Sequence, residues 1–321
     1  MRKVIAVAAL IIAAVGGSAA SAPYPDHAIT LVVPYPPGGP TDVVARVLAE
    51  RMRTTLRQPV IVENVPGGSG NIGVARAARA AADGYTLSLG NSGSHVLNAA
   101  LYTLPYDLFR DFEPVALLTS NPQIIVTRKT LPAKDLPELI AWLKANPNKA
   151  TAGSAGAVAA VSIAFFQAKT ATQFVVAPYR GAAPALQDLM GGQIDLMFDQ
   201  VSNALPQVRA GSIKAYAVTA KDRVPGAPEV PTVDEAGLPG FYAALWQGLW
   251  APKGTPKDAI AKVNSAVAEA LADAKVEQRL REIGQEPFPP DQRSPAAMAA
   301  FQKAEADKWW PIIKAAGLKG E

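Results

Sequence analysis

Within Pro37-Gly38-Gly39-Pro40-Thr41-Asp42 two glycines stand one proline ahead of two helix-capping residue types. Paired glycines let backbone amides meet a ligand with no Cβ in the way, and Thr and Asp favour helix starts. The first-turn N–H groups of a helix have no intrahelical partner and carry the positive end of its dipole. The pattern therefore suits an anion cradle for a carboxylate or phosphate. A proline-stiffened strand-to-helix connection accounts for the same residues equally well.

Other groups capable of chemistry are scattered. Arg180, in Pro178-Tyr179-Arg180-Gly181, suits a bidentate pair with a ligand carboxylate or with a neighbouring acid that fixes its own loop. Asp199, after Phe198, suits acceptance from a ligand amine or hydroxyl, or the capping of a helix that begins near Ser202. Ser92, Ser94 and His95 are close in sequence, so a secreted hydrolase stays open as an alternative of another class, although position 94 breaks the Gly-x-Ser-x-Gly pattern. Gly68-Ser69-Gly70-Asn71-Ile72-Gly73 matches the dinucleotide pattern G-x-G-x-x-G, but the acidic residue expected about twenty positions later would fall at Gly90-Asn91-Ser92, where none stands. These glycines read instead as permitting tight helix–strand packing. Two histidines, His27 and His95, and no cysteine leave no donor set for a metal, so no metal or cofactor is expected. Trp246 and Trp250, four apart in an expected strand, share a face and read as packing.

Elements that position these groups follow from periodicity. Strands are expected at 29–33, 60–63 and 85–89, with a helix after Asp42 and another over 72–82; strand, loop, helix, strand implies a parallel sheet. The polar loop 90–95 then falls at the sheet edge where open α/β folds bind ligands. Two strands, 115–118 and 124–126, are punctuated by Pro114 and Pro122. A second alternating series occupies the middle of the chain: a helix over 135–145, strands near 150–153, 174–177, 194–198 and 213–219, and helices reaching about Lys169, over 184–190 and over 203–209. A proline- and glycine-rich stretch from Pro225 to Gly240 leads to a strand at 245–251, and helices fill 258–272, 276–283 and 295–316, the last interrupted by Pro311.

Arg2 and Lys3, the apolar run Val4–Val15 and the small residues to Ala22 have the layout of a secretory signal peptide spanning 1–20, cleaved between 20 and 22. About twelve apolar residues fall short of the roughly twenty that span a bilayer. Without Cys there is no lipid-modified N-terminal cysteine. Losing Arg2 and Lys3 takes the net charge from +4 to +2, with 29 basic side chains facing 27 acidic ones. The basic residues form no stripe, which argues against nucleic acid as a partner.

Taken together the sequence resembles the Bug (Bordetella uptake gene) family, the solute-binding proteins of tripartite tricarboxylate transporters. The motifs that carry it are 33–39 with Asp42, 63–73, Asp83-Gly84-Tyr85-Thr86-Leu87, Leu104-Pro105-Tyr106-Asp107, 111–115, 178–186, 230–237, and Trp246 with 251–256. The resemblance implies an α/β, two-lobed class II periplasmic binding protein, each lobe a mostly parallel sheet flanked by helices, hinged by two crossing strands. It implies lobes of 21–120 with 246–321 and of 121–245. It implies a periplasmic monomer, not an enzyme, that closes on a small carboxylate and presents it to membrane permease subunits; a sensing role would use the same closed form. It also implies that Tyr35, Pro37, Gly38, Gly39 and Asp42 grip the carboxylate largely through backbone groups, that Ser92, Ser94, Ser154 and Ala155 line the same cleft, and that Asp199 reads the far end. After Gly153-Ser154-Ala155-Gly156 this chain has Ala157-Val158-Ala159-Ala160-Val161 where the family offers glycine and hydroxyls, so a ligand apolar in its middle or far end is expected.

Overall fold

The computed structural model describes residues 24–320, and the expected signal peptide lies outside the described residues. Strand β1 (Ile29–Val33) is almost wholly buried and pairs in parallel with β2 (Val60–Asn64) and β3 (Thr86–Asn91). Its crossovers are α1 (Pro40–Leu56) and α2 (Asn71–Ala78), which buries Val74 and Ala77. The expected helix over 72–82 stops at Ala78, and a 3₁₀ turn, Gly68–Gly70, precedes it.

The two strands expected around 115 and 125 are one strand, β4 (Phe112–Arg128), 17 residues long. Pro114 and Pro122 do not divide it: one sits at a register shift and the other at the end of its pairing with β9, where a missing N–H is tolerated. β4 continues from the first half of the sheet into the second. There β5 (Thr151–Ala155), β6 (Val175–Tyr179) and β7 (Leu196–Gln200) follow one another in parallel, connected by α5 (Ala157–Thr170) and α6 (Ala182–Met190). α4 (Leu136–Ala145) precedes β5, and α7 (Val201–Arg209) leads from β7 to β8 (Ile213–Val218), which pairs with β4. The chain returns through β9 (Ala244–Pro252), antiparallel to both β3 and β4. The strand order is β2-β1-β3-β9-β4-β7-β5-β6, so β4 and β9 are the strands through which the two halves join.

α8 (Lys257–Ala272) and α9 (Ala274–Glu282) pack against α1 over the first half. β10 (Glu286–Pro287) adds two residues to the edge of β4, and α10 (Pro295–Ala315) closes the chain with Pro311 inside it. α10 touches both halves: the Glu305 carboxylate accepts from Trp246 Nε1 (2.9 Å) and Trp309 Nε1 (3.0 Å), while Lys308 donates to the Tyr242 carbonyl and lies over the rings of Phe165 and Trp309. Trp246 and Trp250 are fully buried, which matches their reading as packing.

Candidate ligand-binding site

β1 and β3 in one half, and β5, β6 and β7 in the other, all end at one cleft of about 590 Å³. The carboxyl ends of parallel strands are where open α/β sheets place ligands. The first half contributes Tyr35 after β1, Ser69 before α2, Asn91 at the end of β3, Gly93, and Asn98 and Tyr102 at α3 (Asn98–Leu101). The second contributes Ser154, Ala155 and Gly156 at the end of β5, the first turn of α5, Tyr179 and Gln200. Leu318, Lys319 and Gly320, beyond α10, form a further wall. Larger depressions lie elsewhere: one of about 710 Å³ on the outside of α1, where Arg46 and Arg53 are already paired with Asp42 and Glu50, one of about 820 Å³ between α5 and α10, and one of about 640 Å³ on the outside of α2.

Asn91 organises the first half of the cleft. Its Oδ1 accepts from Tyr35 Oη (2.8 Å), Gly93 N (2.9 Å) and Ser94 N (3.2 Å), and its Nδ2 donates to Thr41 Oγ1 (3.2 Å). One amide thus ties the β1–α1 turn to the π-helical turn Gly93–Leu97 that replaces the expected loop. Burial pushes the Tyr35 phenol up, so it stays a neutral donor. Asn98 ties α3 to the glycine-rich turn through Ser69 O (3.0 Å) and Asn71 Oδ1 (2.8 Å), and Tyr102 Oη meets Ser69 Oγ at 2.9 Å. In the other half the Tyr179 phenol donates to Asp188 at 2.6 Å, a bond that raises its pKa and fixes the ring.

The expected site residues divide. Tyr35, Ser154 and Ala155 line the cleft. Ser92 and Ser94 do not; that loop reaches the cleft through Gly93, and both serines are buried, Ser92 Oγ donating to the Ala244 carbonyl (3.4 Å). Arg180 is exposed and outside the cleft lining. Asp199 lies behind it, 5% exposed, and its neighbour Gln200 lines the cleft instead. Asp199 Oδ1 accepts from Gln200 N (2.8 Å) and Asn203 Nδ2 (3.2 Å), Oδ2 has no partner among the described residues, and burial raises the pKa of the carboxyl.

Pro37, Gly38, Gly39 and Asp42 also stand outside the lining. The helix start is capped differently from the expectation: Gly39 is the N-cap, and Asp42 turns back so that Oδ2 accepts from Gly38 N (2.8 Å) and Arg46 Nε (3.0 Å) while Oδ1 accepts from Asn64 Nδ2 (2.9 Å). Burial works to raise the Asp42 pKa, but Arg46, the Gly38 amide and Asn64 outweigh it and hold the carboxyl below its usual range. Asp42 therefore shapes the turn from within. A Cβ on Gly38 would meet nothing within 4 Å, and one on Gly39 only Pro36 O at 3.7 Å, so their bare faces look onto open space. Gly73 is the opposite case: a Cβ there would lie 2.7 Å from Val65 O and 2.8 Å from Pro34 Cα, the tight helix–strand packing expected of the G-x-G-x-x-G stretch.

Ser94 Oγ and His95 Nδ1 are 2.9 Å apart, as in a nucleophile–base pair, but both residues are 0% exposed. Ser88 Oγ occupies the other ring nitrogen (3.1 Å), the ring stacks on Trp250 at 3.8 Å, and burial pushes its pKa down to about 3. No substrate carbonyl reaches this pair in the described fold.

The sequence does not single out Asn98, Tyr102 or Gln200, and it points to Asn91 and Tyr179 only as members of the 90–95 loop and the Pro178–Gly181 motif. Asn91 carries the same signal as its loop neighbours and Tyr179 stands beside the more conspicuous Arg180; Asn98, Tyr102 and Gln200 lack a local pattern.

The sequence pattern of the family described as the tripartite tricarboxylate transporter family receptor, TctC, matches residues 44–318. The chain belongs to this family. BugT of Bordetella pertussis is 34% identical over 327 residues, covering 99% of each chain. The fold superposes on MatC of Rhodopseudomonas palustris, solved with bound malate, with a TM-score of 0.76 at 40% identity, covering 90% of this chain and 100% of that one. A second Rhodopseudomonas palustris protein, solved with adipate, gives 0.78 at 35% identity over 92% and 99%. The TctC receptors have the two-lobed periplasmic binding protein fold, so the two sheet halves are its lobes and the cleft lies between them.

Proposed function

We propose that this TctC receptor is a non-catalytic, periplasmic solute-binding protein that captures a small carboxylate in the interlobe cleft, closes on it and delivers it to permease subunits of a tripartite tricarboxylate transporter. The observation that carries the reading is the cleft itself: neutral hydrogen-bonding groups from the carboxyl ends of strands in both lobes converge on a space of a size suited to a small ligand. We assign the lobes to 21–120 with 246–321 and to 121–245, and residues 1–20 to a cleaved signal peptide.

Closure supplies the remaining contacts. The Cβ sides of Gly38 and Gly39 border open space; Gly38 N is already taken by Asp42, so a carboxylate drawn in by closure would meet the Gly39 backbone together with the orphan first-turn N–H groups of α1. Ser154 and Ala155 approach from the other lobe. The first turn of α5 presents Ala157, Val158 and Ala160 to the cleft, an alkyl wall that favours a ligand with an apolar middle or far end. Ligand acts by binding the closed form better than the open one.

The test is calorimetry on mature protein unfolded and refolded to strip bound ligand, titrated with malate, adipate, terephthalate and citrate. Saturable 1:1 binding of at least one, with the ligand recovered unchanged, is the expected result. No binding to any carboxylate, or chemical conversion of one, would overturn the proposal.

A further inference from the structure

α10 ends in a defined cap. Gly317 takes φ +63°, its N–H bonds Lys314 O (3.2 Å), and Leu318 N–H reaches back to Ile313 O (3.1 Å), the paired bonds of a Schellman motif. Leu318 packs onto the cluster that holds Trp309 and Ile313. Two residues on, Gly320 N donates to Leu101 O (2.9 Å), and Gly320 sits so close to Tyr102 that a Cβ would fall 2.0 Å from its ring. Lys319 is held between these two anchors, at the cleft. It is the single charged residue among the described residues that line it, and it lies beyond the stretch matched by the family pattern.

We propose that Lys319 is a specificity residue that selects dianionic ligands by pairing with the second carboxylate. The inference rests on the carboxylate reading above and deepens it. Neutral donors can hold one carboxylate, but a second carboxylate drawn into the same cleft loses hydration and needs a counter-charge. Of the residues lining the cleft only Lys319 supplies one, while the alkyl wall of α5 offers nothing to a far carboxylate. An ammonium on a flexible stem tolerates ligands of differing length better than a rigid fork.

The test compares ligands that differ by one carboxylate, adipate with hexanoate and malate with 3-hydroxybutyrate, by calorimetry on the mature chain at low salt. Lys319→Ala should weaken the preferred dicarboxylate about 5–10-fold, the range between an exposed ion pair and a charge-assisted hydrogen bond, and leave its monocarboxylate partner within about 2-fold. Lys319→Arg should retain most of the preference. Gly320→Val keeps the charge but clashes with Tyr102, and should lose the preference as Lys319→Ala does; melting curves check that each variant is folded. Equal weakening of both ligands by Lys319→Ala, or no change in either, overturns the inference while leaving carboxylate capture standing. Wild-type protein that binds none of these four, nor terephthalate or citrate, fails the carboxylate reading itself.

Discussion

His95 makes acid stability a direct test of the buried serine–histidine pair. In the folded protein its pKa is pushed down to about 3 by burial, whereas in the unfolded chain it titrates near the ordinary imidazole value of 6.5. The folded state therefore refuses a proton that the unfolded state accepts, so stability is fully present above pH 6.5 and is lost as pH falls from there toward about 3. At pH 4.5 the unfolded state has gained about two pH units of protonation free energy that the folded state has not, which at about 1.4 kcal/mol per unit is on the order of 3 kcal/mol. Urea unfolding at pH 7 and pH 4.5, in wild type and in His95→Gln, isolates this term because the carboxylates titrate alike in both. The wild type should lose on the order of 3 kcal/mol more than the variant between the two pH values. Equal losses would mean that His95 charges freely in the fold, and the argument that it is sealed from substrate would fail with it.

The two kinds of glycine separate by substitution. Gly73→Ala drives a methyl into Val65 O and Pro34 and should cost about 1–3 kcal/mol, whereas Gly39→Ala should leave the melting temperature unchanged and weaken the ligand if its backbone is approached. Asp42 holds its turn as a carboxylate, so its stabilisation is present above pH 3.8 and is lost as pH falls through its depressed pKa; Asp42→Asn should cost about 1.5–3 kcal/mol at pH 7 in denaturant melts, the gap from wild type closing in acid. Asp199 has the opposite sign: its raised pKa makes wild-type stability fall as pH rises through it, so Asp199→Asn should raise the melting temperature more at pH 8 than at pH 4. Val158→Ser should weaken adipate relative to citrate, and the reverse shift would count against the apolar wall.

Periodicity made most of the parallel elements legible, because β1 is a buried apolar run and β7 opens on one, each followed by a helix with an apolar stripe. It failed on β4. Pro114 and Pro122 are breakers in any local reading, and only the pairing of β4 with β9 across the junction of the lobes accommodates them. The loop at 90–95 failed for a related reason: Gly90 lies so close to the His95 ring that a Cβ would be 2.2 Å from it, so this polar-looking segment folds inward and buries its serines and histidine. Residue type gave polarity; burial depended on a tertiary contact with Trp250 that no local window contains.

The cradle shows where sequence reasoning about sites divides. Gly38-Gly39 and Asp42 were grouped because the chemistry of each suits an anion, yet a carboxylate beside an anion site is a liability unless it is neutralised. Here Arg46 supplies that neutralisation while Asn64 and the Gly38 amide donate hydrogen bonds to Asp42, so this carboxylate sets the shape of the turn. Placement of the amides and placement of the charge are thus separate tasks. The turn performs the first with an internally compensated carboxylate, and a net positive charge has to enter the cleft from elsewhere. Lys319, brought in by the far end of the chain through the α10 cap, is where the fold places it.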